Sequence, residues 1–329
     1  MSRYARQTIL PEVGDVGQLK LSTARILVVG AGGLGTPVLQ YFAGAGVGAI
    51  TIMDPDVVEV GNLHRQPLFG HHDLGQPKVV AAARRIADLN PDVDVTALPA
   101  LLTPGNAPGL VADHDLVLDC ADSFAATYTL SDTCLDLGKP LFSASALGLE
   151  GYVGGFCGGA PSLRAVFPDL PRTLATCATA GVLGPVVGMI GAMQAQMALA
   201  HLLGLTPSPL GTLTRVDARS LRSSTMRFDG AEEPARAHRF IAPDGIRADD
   251  VIFDLRPETE APTPAHPAAQ RALPDAFARQ DIRPEGPRAV LCCRSGLRSW
   301  TAARHLSAYW PGEIVLVADP MADQPERTQ

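Results

Sequence analysis

Residues 30–35, GAGGLG, hold Gly30, Gly32 and Gly35 in G-x-G-x-x-G spacing. Glycines so spaced permit a tight turn and let backbone N–H groups approach a phosphate at a helix N-terminus. Asp54 lies 19 residues beyond Gly35, where a carboxylate can accept ribose hydroxyls. By itself this pattern suits NAD or FAD. Asn62, Arg65 and Gln66 follow at once, however, and Lys78 comes in the run GQPK. Two cations and two amides can neutralise a polyphosphate chain and hold its leaving group, work that a simple dinucleotide does not require. Asp122 closes the run LVLDCAD, where open α/β sheets bind ligands, and a carboxylate there can hold Mg²⁺ beside phosphates. Each residue also has a plainer reading: Arg65 and Lys78 as solvated charges, Asp122 as a helix N-cap with Ser123 as its rival. Their gathering on one sheet edge favours the phosphate reading.

Two further places suit sulfur chemistry. Cys177 stands in TLATCATAGVLGP, a polar stretch entering a long apolar helix, where the helix dipole favours a thiolate. Composition alone leaves a buried, inert thiol equally open. In VLCCRSGLRSW, Cys293 ends an apolar run and is followed by Arg294, Ser295, Gly296, Leu297 and Arg298 before a helical pattern. Such a loop converges backbone N–H groups into a nest for a thiolate or persulfide. Cys293 to Arg298 is C-x4-R, one residue short of the C-x5-R phosphatase loop. Counting from Cys292 restores that spacing, so spacing leaves the phosphatase reading open. Cys120, Cys134 and Cys157 lie in apolar contexts and read as small buried hydrophobes. The pair His71–His72 reads as a solvated loop rather than a metal site.

The elements around these residues alternate. RILVVG (25–30) and AITIMD (49–54) read as buried strands, separated by a helical pattern from 34 to 47. GQPKVVAAARRIADLN is an amphipathic helix closed by Asn90-Pro91, and strands follow at DVDVTAL, HDLVLDCAD, KPLFSASAL and GYVGGFCG. This order predicts a doubly wound, mostly parallel α/β sheet, Rossmann-like, extended by antiparallel strands over 211–228. The polar run DGAEEPARAHR reads as a linker. Beyond it, DVIFDLR, RAVLCC, SWTAARHLSAYW and EIVLVAD predict a smaller α/β unit, with a Pro/Ala-rich stretch between the first two.

The bulk numbers limit the function classes. A chain of 329 residues has room for about two domains, and 46% hydrophobic residues can build a full core. A net charge of −7 gives no basic surface for nucleic acid or an anionic membrane. Residues 177–200 carry no charge and are long enough to span a bilayer, but Gln194, Gln196, Pro185 and several glycines favour a buried helix. The first residues lack the apolar region of a secretory signal, and a cytoplasmic location is expected. No cysteines show C-x-x-C spacing, so no disulfide framework is expected.

The segments RYARQ, GAGGLG, NLHRQ, GQPK, LDCAD and CATAGVLGPVVG, in this order over residues 3 to about 228, resemble the adenylyltransferases of sulfur-carrier proteins. These are the molybdopterin-synthase and thiamine-biosynthesis enzymes, relatives of the ubiquitin-activating enzymes. The resemblance implies ATP, Mg²⁺ and a ubiquitin-like carrier ending in Gly-Gly, whose carboxylate attacks the α-phosphate. It assigns Gly33, Asp54, Asn62, Arg65, Gln66, Lys78 and Asp122 to ATP or its metal, and Gly30 and Gly32 of the glycine loop are counted with the ATP-binding residues. It makes Arg6 a residue that reaches a neighbouring subunit's ATP in a homodimer, and Cys177 the cysteine that links covalently to carrier or sulfur. Ser123 stands where the family usually has Asn and is counted with the ATP-binding residues.

Another departure concerns metal. The family carries two C-x-x-C pairs for a structural zinc; here Ser162 and Ala165 stand at the first, and EEPARAHRF supplies no cysteine for the second. No zinc is expected. The loop after Cys293, with DLR at 254–256, resembles a rhodanese active loop, over about 238–320. Together these imply an ATP-dependent carrier-adenylating domain (1–232) and a shortened rhodanese-like domain (233–329), with a sulfur donor such as a cysteine desulfurase. Molybdopterin, thiamine and related sulfur pathways all fit. Two other functions keep some of the same residues: an NAD-dependent oxidoreductase, which leaves Arg65 and Lys78 idle, and a non-catalytic nucleotide-binding scaffold.

Overall fold

The computed structural model of the chain describes residues 3–169 and 181–318. The chain forms two compact units. The first comprises Met1–Leu102, Asn106–Asp122 and Leu130–Pro234; the second comprises Thr103–Gly105, Ser123–Thr129 and Ala235–Gln329.

The first unit is built on eight strands: β1 (Arg25–Val29), β2 (Ala49–Met53), β3 (Asp94–Leu98), β4 (Leu116–Asp119), β5 (Pro140–Leu147), β6 (Glu150–Cys157), β7 (Thr212–Asp217) and β8 (Arg222–Arg227). Their order is β3-β2-β1-β4-β5-β6-β7-β8. Neighbours from β3 to β5 run parallel, and β5 to β8 run antiparallel. Ile26, Leu27 and Val28 are fully buried, as a central parallel strand covered on both faces requires. The strand order reverses between β1 and β4. That crevice is where doubly wound sheets bind ligands, and the glycine loop follows β1 while Asp122 follows β4.

The helix Gly184–Leu203 has the length and composition to cross a membrane. In the structure it packs against β5, β6 and the Gly35–Ala45 helix, burying Val186, Val187, Ile190, Ala195 and Ala198. Gln194 explains the choice. Its Nε2 donates to the carbonyls of Asp119 (2.8 Å) and Phe142 (2.9 Å), and its Oε1 accepts from Cys120 Sγ (3.3 Å). A side chain that stitches the end of β4 to β5 this way has no use for lipid.

The second unit holds a parallel sheet ordered β10-β9-β11-β12, from β9 (Val251–Asp254), β10 (Gln270–Arg271), β11 (Arg288–Cys293) and β12 (Glu313–Ala318). Every residue of β11 is buried. The Pro/Ala-rich stretch, with no periodicity to read, contains β10, and the short helix Pro274–Ala278 follows it. An edge strand of two residues leaves no alternation to detect.

Candidate nucleotide site and sulfur loop

Gly30 leaves β1 with φ +98°, and a Cβ there would stand 2.5 Å from the Cys120 carbonyl. Only glycine brings the β1 loop this close to the end of β4. The loop's other glycines divide the remaining work. A Cβ on Gly33 would meet Val187 Cγ1 at 2.6 Å, so its missing side chain serves helix packing and leaves a backbone N–H to offer a ligand. A Cβ on Gly32 would meet nothing nearer than Gln66 Nε2, at 3.7 Å. Gly32 therefore lines open space, with Gln66 as its wall.

Gln66 is 2% exposed, and its Oε1 is buried without a hydrogen-bond partner. A buried acceptor left unpaired costs about 1–3 kcal/mol, so this amide is not placed for the fold alone. Beside it, Arg65 is held rigidly: Nη2 donates to Asn62 Oδ1 (2.9 Å) and Nη1 to the Gly61 carbonyl (3.0 Å). Asn62, Arg65 and Gln66 are thus one structured turn, its backbone closed by bonds from Arg65 and Gln66 N to the Asn62 carbonyl.

Asp54, at the end of β2, is buried. Its Oδ2 accepts from Ala31 N (2.7 Å) in the glycine loop and its Oδ1 from Asp56 N (2.8 Å). Burial pushes its carboxyl above the ordinary range, against the pull of Lys78 and those two amides. The carboxylate therefore fixes the glycine loop, and its remaining lone pairs are what a ribose could use. Lys78 begins the helix Lys78–Leu89 with its ammonium 2.7 Å from Asp56 Oδ2 and 4.0 Å from Asp54 Oδ1. Asp56 carries no motif signal in the sequence beyond its place two residues past Asp54.

Asp122 is exposed, two residues past the Cys120 carbonyl that touches Gly30, and half-buried Ser123 follows it before the helix Phe124–Asp136. Among the described residues no three His, Cys, Asp or Glu side chains gather into a metal cluster. A single carboxylate suits Mg²⁺, which keeps its waters and takes other ligands from phosphates. Arg6 is exposed on the short helix Ala5–Thr8. Cys177 lies outside the described residues. Burial holds the thiols of Cys120 and Cys134 well above the usual range and that of Cys157 at about 12, so these three are protonated packing groups. His71 and His72 sit in a 3-10 turn whose Asp73 is buried against Arg84.

At the position of the family's first cysteine pair, the first unit has a hydrogen-bonded clamp. Ser162 donates from its backbone N (2.7 Å) and its hydroxyl (2.6 Å) to the two carboxylate oxygens of Glu233.

In the second unit Cys293 ends β11, buried, and Gly296 turns the loop at φ +83°. Cys293 Sγ accepts from Gly296 N at 3.1 Å and Ser299 N at 3.4 Å, the geometry of an anion nest. Cys292 points the other way, into a cluster with Ile252, Val290, Val315 and Val317. Alternation along β11 therefore makes Cys293 the loop cysteine, which removes the phosphatase count from Cys292. Asp254, buried, is forked by Arg256 at 2.9–3.0 Å. Arg298 makes a two-point bond to Glu260.

The model of the ThiF family matches residues 4–236. The adenylyltransferase and sulfurtransferase MOCS3 of Sus scrofa is 47% identical over 219 residues, 66% of this chain and 48% of that protein. The adenylyltransferase and sulfurtransferase uba4 of Aspergillus fumigatus is 48% identical over 209 residues, 60% of this chain and 42% of that protein. The chain thus spans about half the length of the curated relatives it matches. Among solved structures, E. coli MccB with ATP superposes with a TM-score of 0.61 at 20% identity, covering 69% of this chain and 72% of that one. That likeness is one of fold.

Proposed function

The chain belongs to the ThiF family, and from that premise we propose that it activates the C-terminal glycine of a ubiquitin-like sulfur-carrier protein by adenylation and passes sulfur to it. A carboxylate oxygen of the carrier attacks the α-phosphorus of ATP, and pyrophosphate leaves. The observation that carries this reading is the open side of Gly32, walled by the buried Gln66 amide whose Oε1 is unpaired, with Arg65 and Lys78 beside the same loop. A nucleotide laid there meets backbone N–H groups at its phosphates, the carboxylate of Asp54 at its ribose, and two cations at the departing pyrophosphate. Asp122 would hold Mg²⁺, which supplies charge neutralisation at the phosphates when bound. Arg6 reaches the nucleotide of a second copy in a homodimer. Relatives named as both adenylyltransferase and sulfurtransferase support the pairing of activities.

Residues 1–232 perform the adenylation in this reading, and residues 233–329, a rhodanese-like domain, carry the sulfur. Cys293 takes a sulfane sulfur from a donor such as a cysteine desulfurase, and its persulfide displaces AMP from the acyl-adenylate. Release of the thiocarboxylate then falls to a second thiol, for which Cys177 is the candidate. Such thiols need a reducing setting, and the cytoplasm provides one. The test is carrier-dependent exchange of pyrophosphate into ATP, in the native chain and in Lys78→Ala and Asp122→Ala. Exchange undiminished in either variant removes that residue from the site. Mass spectrometry of the carrier after reaction with ATP and a persulfide donor reads the output, a sulfur in place of an oxygen.

A further inference from the structure

Glu260 stands where a carboxylate is least expected, against the loop that must hold an anionic sulfur. Its oxygens take both terminal nitrogens of Arg298, at 2.6 and 2.5 Å. The backbone beneath it is fixed: Glu260 N and Ala261 N both donate to the Pro257 carbonyl (2.9 and 3.1 Å), and Arg271 holds the carbonyl of the fully buried Ala261. This turn follows directly on the Asp254–Arg256 fork, so the carboxylate is built into the wall of the loop. The Arg298 bond draws the Glu260 carboxyl below its ordinary range and keeps it charged at neutral pH. Arg298 also faces Cys293 on the same loop. One of the loop's two arginines is therefore already neutralised, and Arg294, exposed, is the other.

Resting on the reading that Cys293 carries sulfane sulfur, we propose that Glu260 selects the sulfur donor. By occupying Arg298 it suits the loop to a persulfide, whose reacting end bears one negative charge, and sets it against the thiosulfate dianion. Both reactions balance with the same nucleophile. From a persulfide, the Cys293 thiolate attacks the terminal sulfur, an Sγ–S bond forms, the donor's S–S bond breaks, and the donor thiolate leaves with the electron pair. From thiosulfate the same bond forms and sulfite leaves as the dianion. The second path gathers three negative charges at the loop and needs a cation for the sulfonate end. Glu260 holds that cation and adds a repelling charge of its own.

The experiment measures kcat/KM of the full chain with thiosulfate and with cysteine persulfide, for the native protein, E260Q and E260D, with Cys293→Ser as the blank. The expected result is a thiosulfate-to-persulfide ratio raised at least ~10-fold in E260Q and near native in E260D. An unchanged ratio, or equal loss with both donors, overturns the proposal and makes Glu260 a scaffold residue. Should E260Q fail to fold, the native protein decides by salt. Added salt must speed thiosulfate turnover more than persulfide turnover, because it screens like-charge repulsion; the reverse order overturns the proposal. A native chain whose Cys293 gains no sulfur atom from either donor, by mass spectrometry, refutes the sulfur-carrying role itself. Gain of sulfur with no shift in ratio refutes donor selection alone.

Discussion

The Lys78 ammonium lies 2.7 Å from Asp56 Oδ2 and 4.0 Å from Asp54 Oδ1, so one cation spans two acids that differ sharply in burial. Asp56 is 65% exposed and Asp54 8%. The exposed acid holds the lysine from the solvent side, leaving two of its three donors for a phosphate. Lys78→Ala should lower carrier-dependent pyrophosphate exchange about a hundredfold, the cost of removing one charge-stabilising donor. Asp56→Asn keeps the cation but loosens its aim, and should cost roughly tenfold. An Asp56→Asn variant as active as the native chain would show that Asp56 does not position Lys78.

Gln66 separates ligand binding from folding. Its buried Oε1 has no partner in the protein, so Gln66→Leu should not lower the melting temperature of the nucleotide-free chain. The same change should weaken ATP binding about tenfold, seen as a lost thermal shift on adding ATP and magnesium. A variant that melts early but keeps the full ATP shift would place Gln66 in the scaffold.

Much of this was legible in the chain because it is local. The Val/Ile runs of β1 and β2, the glycine spacing and the Asn62–Gln66 cluster lie within short windows whose periodicity and residue types carry the signal. What stayed hidden joins residues far apart. Glu260 meets Arg298 across 38 positions, Ser162 meets Glu233 across 71, and Gln194 reaches Asp119 across 75. A glutamate in a Pro/Ala-rich stretch looks like any solvated charge until the fold brings its partner to it. Gln194 showed only as an oddity in an apolar helix, enough to argue against a membrane span and too little to name the carbonyls it meets.

The Ser162–Glu233 clamp predicts how the first unit behaves without zinc cysteines. Glu233→Ala leaves the buried hydroxyl and backbone N–H of Ser162 without their acceptor and should cost about 2 kcal/mol. A strong chelator should leave the melting temperature of the native chain unchanged. A drop on chelation, restored by zinc, would overturn the expectation that no structural zinc is needed.

The second unit should be the acid-sensitive part of the molecule, and its fluorescence can report this alone. The chain's two tryptophans, Trp300 and Trp310, both lie there. The Arg288 bonds hold the Asp250 carboxyl below the ordinary range, and Arg298 does the same for Glu260. For Asp254, burial pushes upward but the Arg256 and backbone N–H bonds outweigh it, and the net is also downward. A carboxyl with a lowered folded pKa binds fewer protons folded than unfolded, so its stabilisation is present above the unfolded value and is lost as pH falls toward the folded one. Denaturant midpoints read by tryptophan emission should therefore drop below about pH 4.5. Asp250→Asn identifies the main contributor, because the Arg288 side chain is 5% exposed and the Asp250 carboxylate is covered. Removing that charge should cost about 3 kcal/mol at pH 7, where an unpaired guanidinium is left buried. Below the unfolded value the unfolded carboxyl takes up protons before the folded one, and the gap between native and variant should narrow. Stability curves that stay parallel from pH 7 to pH 3 would show that the Asp250–Arg288 pair contributes nothing to the acid transition.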